Sequence, residues 1–220
     1  MFIPSEFDEQ RCHEIETIIS QFPLATVVAN GKEGLVANHL PLLLDRKLDF
    51  AAKNDRFGRF IGHISRRNNM HRNLVNGQDV LVIFRSEDSY ISPNWYPTKS
   101  EHHRHVPTWN YQAVHFHGMI QFSDDLKFLR RIVGTLTKYF ESRNQGDKAW
   151  KMADAPNDFM SQKLAGIVGF EIEVYRCLAK SKLGQNKEKA DFENVRREMF
   201  NHDKVFLARS MSAIDESDDD

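Results

Sequence analysis

The chain has 220 residues with 30 basic and 31 acidic side chains, a formal charge of -1, so it lacks the chain-wide positive field of a phosphodiester binder and any such role would need strong local clustering. With 40% hydrophobic residues and only two cysteines, Cys12 and Cys177, the composition is that of one globular domain that closes its core without disulfides, which fits a reducing cytoplasm. The first residues show no basic region followed by an apolar stretch, and no run approaches the roughly 18 apolar residues of a membrane span, so neither secretion nor membrane insertion is expected.

After Asp8, a helix-capping residue, Ile15, Ile18, Ile19 and Phe22 recur at helical spacing and predict an amphipathic helix ending near Pro23. Leu24 to Ala29 and Leu35 to Leu44 read as strands around Asn30-Gly31, a hairpin dipeptide in a loop longer than the tightest type, and Leu48 to Ala52 extends the meander. Phe57, Phe60, Ile61 and Ile64 predict a short helix that leaves Arg59, His63, Arg66 and Arg67 on a basic face. Val80 to Phe84 is a continuous apolar run, the pattern of a central strand covered on both sides. Trp109 to Phe122 alternates, with Val114, Phe116, Ile120 and Phe122 on one face and Tyr111, His115, His117 and Gln121 on the other. A helix from Leu126 to Phe140 follows, then a second long strand from Ile167 to Leu178 and a shorter helix marked by Phe192, Val195 and Met199. Many antiparallel strands with scattered helices predict a mainly β fold with α, a closed or nearly closed barrel over residues 1–212, with an acidic disordered tail at 213–220.

No G-x-G, G-x-S-x-G, C-x-x-C or H-E-x-x-H pattern occurs, which removes the dinucleotide fingerprint and the common hydrolase and zinc motifs. The unusual feature is the density of aromatic and histidine residues between Tyr90 and His117, among prolines that give the segment the extended character of a pocket-lining loop. A loop that merely caps the barrel explains the composition equally well; the alternative is a site for a planar ligand. His102, His103, His105, His115 and His117 lack the adjacent carboxylates or thiolates that would complete a metal site, so no metal is expected. Anion donors come from His63, Arg66 and Arg67 on one side and from Ser92 and Lys99 on the other, arginine being suited to bidentate phosphate contact. Taken alone, such a basic trio is more often a solvated face.

At these residues the sequence resembles the PaiB family of FMN-binding negative transcriptional regulators, built on a split β-barrel akin to pyridoxamine-phosphate oxidases. The matching blocks are Pro23-Leu24-Ala25-Thr26, Ala37-Asn38-His39-Leu40-Pro41-Leu42, Gly62-His63-Ile64-Ser65-Arg66, Tyr90-Ile91-Ser92-Pro93-Asn94-Trp95-Tyr96 with Lys99, Val106-Pro107-Thr108-Trp109-Asn110-Tyr111 with Val114-His115, Gly166 to Ile172, and Lys182-Leu183-Gly184-Gln185-Asn186. The pattern departs at Arg67 to Met70, Ser86-Glu87 and Gly184. The resemblance implies a homodimer with FMN in clefts where two barrels meet. It places the flavin phosphate against His63 and Arg66, with Ser92 and Lys99 as further donors and Trp95, Tyr96, Trp109 and His115 near the ring; catalytic residues remain unassigned. No helix-turn-helix is visible, so control of transcription would act through DNA or protein partners not readable here. Two other classes stay open: an FMN-dependent oxidoreductase and a haem-binding split barrel.

Overall fold

The computed structural model describes residues 1–32, 34–46, 48 and 57–215. In chain order its elements are α1 (Cys12–Gln21), β1 (Leu24–Gly31), β2 (Gly34–Pro41), β3 (Leu43–Arg46), β4 (Gly58–Ser65), α2 (Met70–Asn73), β5 (Gln78–Ile91), α3 (Lys99–His102), β6 (Thr108–Ser123), α4 (Leu126–Gln145), α5 (Asn157–Ala165), β7 (Ile167–Lys182), α6 (Lys189–Asn201) and α7 (Val205–Asp215). The strands make one sheet in the order β2-β1-β5-β6-β7-β4-β3, so the class is mainly β with α, as the strand-rich pattern implies. Contacts divide the chain into two compact units, the first of Met1–Phe22, Phe84–His115 and Leu178–Asp220, the second of Pro23–Ile83 and Phe116–Cys177. Strands β5, β6 and β7 each contribute residues to both.

In the second unit, β1 pairs antiparallel with β2 from Leu24↔Pro41 to Gly31↔Gly34 and with β5 through Val28↔Leu81. The hairpin loop is therefore of the tightest length, shorter than expected, and Gly34 carries it with φ +106, a conformation L side chains rarely adopt. The expected single strand from Leu35 to Leu44 is broken at Leu42, a fully buried residue whose amide donates to the carbonyl of Pro23 (2.9 Å). The core of the unit holds Phe60, Phe116, Phe170, Ile120 and Ile172, all at 0% exposure. The Phe60 and Phe116 rings meet edge to face, 5.0 Å between centroids. Ile132 and Leu136 of α4 pack against Leu43 and Ile61.

The helix expected around Phe57 to Ile64 is instead strand β4, paired with β7 from Gly58↔Val174 to Ser65↔Ile167 and with β3 through Leu43↔Ile61. Phe60, Ile61 and Ile64 are buried on both faces of a strand hydrogen-bonded on both edges, and such a run satisfies helical spacing and strand burial equally. The basic helix face is thereby dissolved. Arg59 forms ion pairs with Asp45 (2.5 Å), Glu171 (3.7 Å) and Glu173 (3.8 Å), while His63, four residues on, lines the cavity described below.

Strand β5 corrects a second expectation. It lies third in the sheet rather than at its centre, and Val80, Val82 and Phe84 are buried while Leu81 and Ile83 are only half-buried. A run of five apolar residues thus covers one closed face and one partly open face.

In the first unit, Ile91, Tyr96, Leu183, Phe192, Val195, Met199, Leu207 and Met211 form a core in which α6 and α7 are the helical wall. Helix α7 has no counterpart in the sequence reading and continues through Asp215. The expected strand over Leu48 to Ala52 and the acidic tail lie almost wholly outside the described residues; Leu48 itself is buried.

Candidate functional site

The second unit contains a cavity of about 600 Å³ lined by Leu40, His63, Ile64, Ser65, Asn68, Gln162, Lys163, Gly166 and Ile167. Strand β4 supplies His63 and Ser65, and the C-terminal turn of α5 with the start of β7 closes the other wall. The His63 Nδ1 atom is buried and has no hydrogen-bond partner among the described residues. Burial holds its imidazole below the usual histidine range. A buried, unpaired imidazole nitrogen is costly unless a ligand completes it. Lys163 supplies a cation, Ser65 a hydroxyl and Gln162 an amide, a donor set suited to a phosphate.

Arg66 sits in the turn after β4 and is already engaged. Its Nε donates to the carbonyl of Ala165 (3.0 Å), one terminal nitrogen to that of Ile167 (3.1 Å) and the other to Asp124 (3.3 Å). It therefore braces the α5–β7 turn that carries Lys163. Asn68, in a stretch that departs from the family pattern, lines the cavity while its amide donates to Asn38 Oδ1 (2.8 Å) and its own carbonyl oxygen accepts from the amide of Met70 (2.9 Å).

The other expected site residues belong to the first unit. Ser92 caps the turn Pro93–Trp95 by accepting from the amide of Asn94 (3.2 Å), and Lys99 donates to Asn94 Oδ1 (2.5 Å), so Ser92 and Lys99 are held around one asparagine. Trp95 stacks obliquely on His202, 5.0 Å between centroids, and its carbonyl accepts from Asn194 (2.7 Å). Tyr96 is buried in the core and stacks on His105 at 4.6 Å; burial, and secondarily the charge of Asp191, pushes its phenol up. Trp109 is 51% exposed and meets Tyr90 edge to face at 5.8 Å. His115 is half-buried on β6. No group of three or more metal-ligating side chains exists among the described residues.

Ser65, Gln162 and Lys163 are site residues that the sequence reading did not single out. Ser65 lay inside a quoted block; Gln162 and Lys163 precede the Gly166 block by only a few residues, but nothing in their spacing ties them to β4.

One consequence is measurable without a ligand. His63 takes up a proton near pH 6.5 when unfolded but only at lower pH when folded. Below about 6.5 the unfolded state binds more protons and stability falls as pH falls; well above that value the contribution vanishes. His63→Gln should flatten this acid-side loss in urea titrations run across pH, whereas an unchanged profile would show that His63 is not the titrating group.

Residues 1–176 match the family described as "Putative FMN-binding domain". The chain is 32% identical over 203 residues to the protease synthase and sporulation protein PAI 2 of Bacillus subtilis, covering 92% of this chain and 91% of the relative. Among solved structures it is similar to the FAD and heme binding protein of Mycobacterium smegmatis (TM-score 0.57, 16% identity, 86% of this chain and 78% of that one) and to the flavocytochrome Anf3 of Azotobacter vinelandii (0.51, 13%, 85% and 75%), which fixes the fold as a split β-barrel. A family match over most of the chain and a relative aligned nearly end to end establish that this protein belongs to the PaiB-type FMN-binding domain family, whose cofactor is FMN.

Proposed function

We propose that the protein is a flavin-dependent regulator of the PaiB type that works as a cytoplasmic homodimer and influences transcription without reading DNA sequence by itself. The observation that carries the flavin half is the orphaned His63 Nδ1 in a cavity that also offers Lys163, Ser65 and Gln162. These residues fit a phosphate monoester, and His63 with Lys163 would hold that of FMN while Arg66 steadies the turn beneath Lys163. Ser92, Trp95, Tyr96, Lys99, Trp109 and His115 are proposed to serve the same cofactor, with Trp95, Tyr96, Trp109 and His115 near its ring. Bound FMN supplies one- or two-electron redox chemistry.

The dimer reading is supported by the open face of the second unit's sheet. Val28 has Ala37 and Leu81 as its cross-strand neighbours, Thr26 has Ile83, and Leu24 and Leu35 are 65% and 81% exposed. An apolar sheet face of this kind is covered in most soluble proteins. The regulatory half is supported by the sporulation relative alone, and the near-neutral charge favours an indirect route.

The test is FMN titration followed by flavin fluorescence, with sedimentation of the same samples. Lys163→Ala and Lys99→Ala should each weaken binding by roughly ten- to a hundredfold, the cost of losing about 1.5–3 kcal/mol from a charged hydrogen bond, and the protein should sediment as a dimer. Wild-type affinity in both variants overturns the donor assignment, and a stable monomer at micromolar concentration overturns the dimer. Rapid, saturable oxidation of NADH or NADPH by the FMN-loaded protein would move the reading to an oxidoreductase, and a salt-resistant, sequence-selective mobility shift would overturn the claim about DNA.

A further inference from the structure

Helices α1 and α7 of the first unit enclose a cavity of about 410 Å³, lined by Glu14 and Thr17 of α1 and by Val205, Phe206, Arg209 and Ser210 of α7. Glu14 and Thr17 stand three residues apart, Val205 and Arg209 four, and Phe206 and Ser210 four, so each helix turns one face to the cavity. The Phe22 ring, just past the end of α1, meets the Phe206 ring edge to face with 4.8 Å between centroids and seats the two helices against each other. The volume falls at the small end of the roughly 300–1,000 Å³ of small-molecule sites. None of these residues lines the His63 cavity or is assigned to the flavin.

Two polar side chains in this wall are more than nine-tenths buried and unsatisfied. Glu14 is 8% exposed, yet its carboxylate accepts no hydrogen bond among the described residues; its ion-pair partner there is His13 Nε2 at 3.5 Å, on a side chain that is 73% exposed. Arg11 feels the Glu14 charge but spends its guanidinium on Glu9 (2.9 and 2.8 Å) and on the carbonyl of Ala213 (3.0 Å). A buried carboxylate without donors is costly unless something completes it. Ser210 is 6% exposed and its hydroxyl also makes no hydrogen bond among the described residues. Thr17 and Ser212, on the same two helices, instead donate to the carbonyls four residues back (2.7 and 3.2 Å). Arg209 is exposed and pairs with no carboxylate among the described residues. Glu14 and Arg209 therefore border one cavity with opposite charges and do not neutralise each other.

We propose that the cavity between α1 and α7 binds a free α-amino acid with an apolar side chain. Glu14 and Ser210 take the α-ammonium, Arg209 takes the α-carboxylate through its planar fork, and the side chain lies against Val205 and Phe206. An ammonium supplies the hydrogen-bond donors that Glu14 lacks, and a carboxylate supplies the acceptor that Arg209 lacks. A simple amine would leave Arg209 unanswered, and a simple carboxylate would leave Glu14 buried without a donor, so the zwitterion is the class that satisfies both. The site lies apart from the His63 cavity and does not rest on the flavin reading.

The test is isothermal titration of L-leucine and of L-phenylalanine into the full chain, each alongside its amide, which lacks the carboxylate, and its deaminated acid, which lacks the ammonium. At least one of the two amino acids should bind and should raise the melting temperature. Its amide and its deaminated acid should each bind about tenfold more weakly or worse, the loss of one charged contact. Glu14→Gln and Arg209→Gln should weaken the amino acid to a similar extent, and Arg209→Gln should bind the amino acid and its amide alike, because the carboxylate has then lost its partner. FMN affinity of both variants should stay at the wild-type value. Failure of both amino acids to bind at millimolar concentration, an analogue that binds as well as its parent, wild-type affinity in either variant, or an equal loss of FMN affinity would each overturn the proposal. The analogue series uses wild-type protein alone, so it decides the matter even where a variant does not fold. If the amino acid binds in this pattern while FMN does not bind at all, the flavin reading fails and this site stands.

Discussion

Asp191→Ala is expected to lower the stability of the protein by about 3 kcal/mol and to release the segment between β5 and β6. Asp191 is 1% exposed and lies in the first turn of α6, where the helix dipole favours a carboxylate. Its Oδ1 accepts from the amide of Thr98 (3.1 Å) and its Oδ2 from the Thr98 hydroxyl (2.8 Å). With that hydroxyl proton given to Asp191, His105 Nε2 is the donor to Thr98 Oγ1 (2.8 Å), and it also lies 3.4 Å from the carboxylate. One buried acid therefore satisfies both polar groups of Thr98 and orients the imidazole on which Tyr96 stacks. Removing it strands a buried amide and a buried hydroxyl and leaves a void beside them. Asp191→Asn keeps one acceptor but turns an amide hydrogen toward a donor, so about half the loss is expected. Urea unfolding gives the energies. Trypsin reports the release, because Arg104 is exposed beside the clamp and cleavage after it should accelerate in the alanine variant. Stability within about 0.5 kcal/mol of wild type would mean that the clamp contributes nothing beyond an ordinary surface contact.

That clamp also marks where sequence reasoning stops. The alternation in β6 and β7 was legible because each strand has one buried face, so Val114, Phe116 and Ile120 separate cleanly from His115 and His117. Strand β4 was not, because burial on both sides erases the period of two and leaves spacings that a helix also satisfies. The same ambiguity hid the role of Arg59, which the strand turns toward Asp45, Glu171 and Glu173. The aromatic and histidine density between Tyr90 and His117 was visible, yet nothing local says that Tyr96 would be core and Trp109 exposed, because that depends on Asp191, 93 residues beyond Thr98. The donors around His63 were half legible. His63 and Ser65 share a strand face, but Lys163 reaches their cavity only through the pairing of β4 with β7 and the Arg66 bonds that fix the preceding turn. Glu87, a residue at which the chain departs from its family pattern, accepts from the amide of Leu207 in the first turn of α7 (2.8 Å). Its charge is spent on a helix terminus.

Two glycines of the second unit should respond in opposite directions to the same added methyl group. Gly118 lies on β6 where the neighbouring strand comes closest: a Cβ there would stand 2.6 Å from Ile172 Cγ2 and 2.7 Å from the backbone carbonyl oxygen of Glu173. A side chain can rotate away, but a carbonyl held in a strand moves only if the sheet moves with it. Gly118→Ala is therefore expected to cost about 2 kcal/mol and Gly118→Val about 3 kcal/mol or more, the upper part of the range for overpacked cores. Gly134 lies in the middle of α4, where a Cβ would meet only Met152 Sδ at 3.6 Å, an ordinary contact. Gly134→Ala should stabilise the protein by about 0.4–1 kcal/mol, because alanine loses less backbone freedom on entering a helix. Melting curves of the three variants against wild type decide the matter. Tolerance of alanine at Gly118 would mean that β6 and β7 do not approach as closely as the geometry at Ile172 and Glu173 requires.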